Sequence, residues 1–319
     1  MKTRTALQRI FCALALAAAF TACGADPAAS APAAANKDLL KLFDYDPKAP
    51  LDVKVVSTEK KDGFTVQQLT YASPKGGRVP AMLTIPDGPG PFAGVLLMHG
   101  APGTFLVTRP EAEELAKLGA VSLAINAPFA RGSRLEESFE MLRFDERDRD
   151  DQIQLIVDLR RGVDLLLSRP DVDKNRLAFA GRSYGGAQGG LLAGVETRIK
   201  AYALVVGDGG LVSHFTGKDD TRGPLQFLPQ AQAKRWLAAM EPIEPIRWVG
   251  RAAPAHLLFQ NGRQDPLVPE ADGRAFQEAG SSAKKVLWYD AGHQLNDQAA
   301  QDRLIWLSEE IGIRKPAAP

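Results

Sequence analysis

The chain has 319 residues, 45% hydrophobic and 24% charged, enough apolar content for one substantial core. Its formal charge of +1 depends on Lys2, Arg4 and Arg9; beyond residue 22, 36 basic residues face 38 acidic ones, leaving neither a basic stripe for nucleic acid nor an acidic tail. Cysteine occurs only at positions 12 and 23, so the folded domain has no disulfide, and four scattered histidines without a cysteine pair make no zinc site.

Residues 1–22 read as an export signal, with basic residues leading into an apolar run, Ile10 to Phe20, that is too short to span a bilayer. The run ends at Phe20-Thr21-Ala22-Cys23-Gly24. Small residues directly before a cysteine resemble the lipobox of bacterial lipoproteins, in which the cysteine is lipidated and becomes the new N-terminus. Phe20 departs from the leucine usual at its place, and plain secretion is the competing outcome. The resemblance implies a protein exported to the periplasmic side of a bacterial membrane and touching it only through a lipid on Cys23, with the outer membrane favoured. Residues 23–49 follow as anchor and tether, Ala/Pro/Ser-rich from Ala25 to Asn36 and without periodicity.

Three alternating runs, Val53–Val56, Phe64–Tyr71 and Val79–Ile85, are separated by Asp62-Gly63 and Gly76-Gly77 and predict an antiparallel meander. From Phe92 the pattern changes to strand and helix in alternation. Ala93–Met98 and Val121–Ile125 are continuous apolar runs suited to strands buried on both faces. Leu177–Ala180, Ala201–Val206, His256–Gln260 and Lys285–Tyr289 supply four more. Helices are expected over Pro110–Leu118, along Ile156, Leu159, Val163 and Leu166, near Gly186–Gly194, and over Pro269–Ala279 and Gln298–Ile311. The expectation is an α/β fold: a mostly parallel central sheet, an antiparallel N-terminal edge, helices on both faces and right-handed crossovers. The domain is placed at residues 50–312, with 313–319 as a tail.

Two connections exceed the usual length of about 4–6 residues. Pro128 to Asp150 includes a charge run, Arg143 to Asp151, that reads as a solvated helix start. Residues 209–253, with Phe215, Phe227 and Trp248, read as a lid insertion after the sixth strand.

Chemistry is sought where polar residues directly follow parallel strands, because open α/β sheets carry their sites at the carboxyl ends of the strands. The apolar run Leu177–Ala180 leads straight into Gly181-Arg182-Ser183-Tyr184-Gly185, a Gly-x-Ser-x-Gly turn that exposes a serine hydroxyl. His293 follows the last strand, where its imidazole can take a proton from Ser183. Asp265 follows the penultimate strand, where it can hold the imidazole in one tautomer. Asp208 is the fallback acid, while Asp290 is too close to His293 in sequence to reach it well. Two N–H donors are needed for the developing oxyanion. Tyr184 supplies one by its backbone, and Ala101, with Gly100 as second choice, supplies the other. His99, Phe215 and Trp248 are assigned as substrate contacts. His214 is a weaker candidate in the lid, and Arg131, Arg134 and Arg182 could receive a substrate carboxylate or form structural ion pairs. No strand-associated GxxxxGK loop is present, and neither metal nor cofactor is expected.

In His99-Gly100, Gly181-Arg-Ser-Tyr-Gly185, Gly262-Arg-Gln-Asp265 and Gly292-His293 the chain resembles serine hydrolases of the α/β-hydrolase superfamily, near dienelactone-hydrolase-like and acetyl-esterase-like proteins. The likeness covers about residues 50–312. It implies cleavage of small carboxylic esters through an acyl-enzyme on Ser183. Dienelactone hydrolases proper use a cysteine nucleophile, so lactone opening is not implied. Ser183-Tyr-Gly-Gly186 is also similar to prolyl-oligopeptidase-like peptidases, which keeps a small peptidase or amidase as the alternative. A non-catalytic anchored binding protein is the third reading.

Overall fold

A computed structural model describes residues 37–131, 142–210 and 224–317. The chain divides into residues 1–31 and 32–319. The first unit lies outside the described residues, and so do the expected signal, Cys23, Arg134, His214 and Phe215. Strands β1 (Lys54–Lys61), β2 (Phe64–Ala72) and β3 (Arg78–Pro86) form the antiparallel edge. Strands β4 (Phe92–Met98), β5 (Ala120–Ile125), β6 (Val172–Arg182), β7 (Ala201–Val205), β8 (His256–Gly262) and β9 (Lys284–Tyr289) run parallel to one another. The sheet order is β1-β2-β3-β5-β4-β6-β7-β8-β9, as expected for a mostly parallel sheet with an antiparallel edge.

Successive residues of each central strand point to opposite faces, and both faces are covered. On one side Leu96, Met98, Phe179, Leu257 and Phe259 pack under helices α2 (Glu146–Ser168), α3 (Tyr184–Ala193) and α5 (Glu270–Ala279). On the other, Val95, Leu97, Ala178, Ala180, Ala201 and Ala203 pack under α1 (Arg109–Lys117) and α6 (Asp297–Ile311). Small strand residues on this second side let Leu115 of α1 and Leu307 of α6 sit fully buried. Each such leucine contributes about 1.5–3 kcal/mol. Helix ends carry the expected signals. Pro110 stands in the first turn of α1, and Asn296 caps α6 by accepting the Ala299 N–H at 3.1 Å.

Four expectations are corrected. The insertion follows β7, the seventh strand in chain order, not the sixth; its described part includes α4 (Gln230–Met240). The tether ends earlier than residue 49. Phe43 is fully buried with its ring edge-on to Trp248 at 5.4 Å, the Tyr45 hydroxyl donates to Asp164 at 2.9 Å, and Arg160 and Arg161 of α2 donate to the carbonyls of Phe43, Pro47 and Ala49. The tail also packs, with Ile313 buried and the Arg314 N–H on Leu118 O at 2.8 Å. Finally, the charge run is only partly solvated. Asp145 does cap α2, but Asp148 is 1% exposed and accepts from the N–H groups of Arg143 and Phe144 and from Trp236 Nε1 of α4 at 2.7 Å. Burial pushes the Asp148 carboxyl up from its ordinary pKa, and those donors oppose the shift.

Candidate active site

Ser183 ends the β6 segment and begins α3 at φ +55°, ψ −117°, a conformation that side-chain-bearing residues rarely adopt. Two main-chain bonds hold it there: Ser183 N–H on Val205 O at 2.8 Å, and Ala187 N–H on Ser183 O at 2.9 Å. The flanking glycines are sterically compelled. A Cβ at Gly181 would lie 2.3 Å from Gly185 O, and one at Gly185 would lie 2.4 Å from Met98 O. The Gly-x-Ser-x-Gly turn therefore packs backbone against backbone, leaving the serine hydroxyl at the carboxyl end of the sheet.

His293 and Asp265 arrive from the loops after β9 and β8. His293 Nε2 lies 2.9 Å from Ser183 Oγ, and Nδ1 lies 2.8 Å from Asp265 Oδ2. The second carboxylate oxygen, Oδ1, accepts the N–H groups of Leu267 at 2.8 Å and Val268 at 3.0 Å. The Asp265 side chain is 2% exposed. Burial raises its pKa, but the bonds from His293, Val268 and Leu267 outweigh burial and hold the carboxyl below its ordinary range. The two loops meet closely, with Gln264 N–H on Ala291 O at 3.1 Å. A Cβ at Gly262 would stand 2.3 Å from that same oxygen. The structure thus brings Ser183, His293 and Asp265 into one hydrogen-bonded line. Asp208 is elsewhere engaged, accepting the Gly210 N–H, and Asp290 has a side chain 85% exposed.

The loop after β4 lies against the serine. A Cβ at Gly100 would be 3.2 Å from Ser183 Cβ and 3.8 Å from Oγ. His99, assigned above to substrate, is instead part of the scaffold. It is 1% exposed, its Nε2 accepts the Ala127 N–H at 3.1 Å, and Nδ1 therefore carries the proton it donates to Gly100 O at 2.7 Å. Burial, with Arg131 nearby, lowers its pKa to about 4, so the ring is neutral. Trp248 is the second correction. It is fully buried against Phe43, its Nε1 on Pro242 O at 3.0 Å, and it does not face the site. Phe227, in the insertion read as a lid, is 68% exposed.

Arg131 forms an ion pair with Asp158 at 2.7 Å rather than awaiting a carboxylate. Arg182 donates to the backbone oxygen of His293. Two residues that support the site escape the sequence reading. Asn126, directly after β5, accepts the Phe105 N–H at 2.8 Å and donates to Ala130 O, fixing the loop that follows β4. The rule that finds Asp265 and His293, a polar residue straight after a parallel strand, also finds Asn126. Gln152 on α2 accepts from the Tyr184 hydroxyl at 2.8 Å and from Gln188, anchoring the start of α3. Its signal is weaker, one amide within an apolar helix face.

Among the described residues, no group of three or more His, Cys, Asp or Glu side chains could hold a metal ion, and no helix is long and apolar enough to cross a membrane. No family model matches the chain. Its fold does match solved structures. An acetyl xylan esterase from Paenibacillus sp. R4 is 19% identical with a TM-score of 0.67, covering 86% of this chain and 92% of that one. Acetyl xylan esterase 1 from Thermoanaerobacterium sp. JW/SL YS485 is 15% identical with a TM-score of 0.68, covering 85% and 92%. A puromycin-hydrolyzing peptidase from Mycobacterium tuberculosis is 16% identical with a TM-score of 0.59, covering 86% of this chain but 51% of that one. The chain has the α/β-hydrolase fold.

Proposed function

We propose that this protein is a serine hydrolase that cleaves carboxylic esters through an acyl-enzyme on Ser183. The observation that carries the reading is the line from Ser183 Oγ through both nitrogens of His293 to Asp265, with contacts of 2.9 and 2.8 Å. Ser183 Oγ attacks the ester carbonyl while His293 Nε2 takes its proton, then returns it to the departing alkoxide. Water repeats the sequence on the acyl-enzyme. Asp265 fixes the tautomer and stabilises the imidazolium.

The backbone N–H groups of Tyr184 and Ala101 receive the oxyanion in this reading. Tyr184 opens α3, where the first N–H groups lack helical partners. The Gly100–Ala101 peptide is trans, so with its carbonyl bound to His99 its N–H points the opposite way. That geometry supports Ala101 over Gly100. Esters are favoured over peptides because the esterase neighbours are matched over 92% of their length, against 51% for the peptidase.

A fluorophosphonate probe tests the mechanism: labelling is expected at Ser183 and absent in Ser183→Ala. Failure of wild-type labelling would leave a non-catalytic binding protein. Acyl p-nitrophenyl esters of increasing chain length, set against aminoacyl anilides, rank the substrates; faster anilide turnover would assign the peptidase reading. We also propose export with a lipid on Cys23, supported by residues 10–24. Cys23→Ala is expected to release the protein from the membrane fraction.

A further inference from the structure

Arg182 precedes the nucleophile, and its Nη2 donates to the backbone oxygen of His293 at 2.6 Å. The guanidinium is half-buried. Burial lowers its pKa and Arg303 adds to that effect, while the charges of Glu111 and Asp265 oppose it; with the described residues it makes no direct ion pair. Taking such a charge from water without a directly paired carboxylate is unfavourable, and one bond to a neutral carbonyl and two carboxylates at longer range offset only part of it. An acid is at hand, yet it serves the neighbour: Glu111 pairs with Arg303 at 2.7 Å, and Arg303 also donates to Gln260 at 2.9 Å. Neither acid makes a direct pair with Arg182, so the one bond its guanidinium does make carries the argument.

The loop carrying His293 runs from β9 to α6 and is tied by few main-chain bonds, among them Leu295 N–H on Gly292 O at 3.0 Å. His293 O takes its hydrogen bond from Arg182, and charge-assisted bonds of this kind are the stronger ones. The bond closes a ring. It runs from Ser183 Oγ to His293 Nε2, along the His293 main chain to its oxygen, into the Arg182 guanidinium, and back one residue to Ser183.

We propose that Arg182 is a positioning residue, its guanidinium holding the His293 loop at the distance from the elbow that keeps Nε2 on Ser183 Oγ. The proposal rests on the serine-hydrolase reading for its kinetic consequence, but not for its structural one. Beside the guanidinium lies a cavity of about 260 Å³ lined by Arg182, Glu111, Gln294, Asn296 and Arg303. Truncating Arg182 enlarges that space enough for a small guanidinium from solution.

The test compares full-length wild type, Arg182→Ala and Arg182→Lys. In Arg182→Ala, kcat on p-nitrophenyl acetate and the rate of fluorophosphonate labelling are expected to fall together, about ten- to hundred-fold, as misplacement of a base by an ångström does. KM is expected to stay within about twofold, with Tm unchanged or raised. Millimolar ethylguanidinium restores the rate in Arg182→Ala and does nothing to wild type, while Arg182→Lys falls between. Hydrogen exchange at residues 290–296 is faster in Arg182→Ala. Unchanged labelling together with unchanged exchange overturns the proposal, and so does a rate loss that tracks unfolded protein and resists ethylguanidinium. If wild type neither labels nor cleaves esters, the serine-hydrolase reading fails by itself, and the exchange comparison still decides whether Arg182 holds the loop.

Discussion

The turn after β6 and the connection after β7 leave the same edge of the sheet and are held mainly by opposite means. At Gly181–Gly186 the contacts are backbone on backbone. A Cβ at 181, 185 or 186 would fall 2.3, 2.4 or 2.7 Å from a main-chain oxygen, and Ser183 sits at φ +55°. The connection after β7 begins in the same way, a Cβ at Gly207 falling 2.6 Å from the Gly186 carbonyl carbon, but its described part from residue 224 on is held mainly by side chains. Trp236 packs on Phe144 with ring centres 5.4 Å apart and donates to Asp148, and Trp248 packs on Phe43. A turn built from backbone accepts one residue type per position, so its requirement is written locally. A connection built from side chains accepts several apolar residues and names none of its partners.

Gly185→Ala strikes the first kind of structure most directly, because the obstructing atoms, Met98 O and His99 O, belong to β4 and the loop after it. The expected outcome is a stability loss of about 3–5 kcal/mol by urea unfolding, with loss of fluorophosphonate labelling in whatever remains folded. Normal labelling in this variant would break the contrast. His99 belongs to the same region, and its ring is held neutral by burial. Its folded pKa of about 4 lies below the ordinary 6.5. The unfolded chain therefore takes up a proton first as pH falls. The stability tied to this difference is complete above pH 6.5 and is lost by pH 4, about 3 kcal/mol in all. In His99→Gln that part of the acid sensitivity is expected to vanish, read as a smaller drop in unfolding free energy between pH 7 and 4.

In the insertion, Trp236→Phe keeps the ring against Phe144 and removes the N–H that Asp148 accepts. A loss of about 1–3 kcal/mol is expected, with the labelling rate of Ser183 unchanged. A slowed labelling rate would show that the insertion sets the chemistry as well as the packing.

The same contrast explains what could be read from the chain alone. Ser183, Asp265 and His293 each follow a strand of clear apolar pattern, so topology places them at one edge, and the structure joins them at 2.9 and 2.8 Å. The antiparallel edge and the mostly parallel sheet follow from the change of period near Phe92, while the strand order, with β5 between β3 and β4, does not. Trp248 was misread because nothing local says which way an aromatic in a long connection turns; it turns toward Phe43, some 200 residues earlier in the chain. Residues 38–49 were read as tether because they are too short for periodicity, and the arginines that hold them lie more than 100 residues later. Asp148 looked solvated because its donor Trp236 stands 88 residues away. Each error is a tertiary contact without a local signature.

The smallest effect tests the premise of the contrast. If the elbow is strained, Ser183→Gly should be more stable than Ser183→Ala, with labelling abolished in both. Holding a residue with a side chain at φ +55°, ψ −117° costs about 1–3 kcal/mol, which glycine avoids. Against this, glycine raises the entropy of the unfolded chain by about 0.4–1 kcal/mol, and the bond from Oγ to His293 is lost in both variants. Ser183→Gly is expected to be about 1 kcal/mol more stable than Ser183→Ala by urea unfolding, since Ala loses the same hydroxyl but keeps the strained Cβ. A Gly variant less stable than the Ala variant by about 0.4–1 kcal/mol, the entropy difference alone, would mean that the backbone of the elbow stores no strain. The glycines would then matter for close approach alone, and the difference between the turn after β6 and the connection after β7 would be one of packing rather than of backbone conformation.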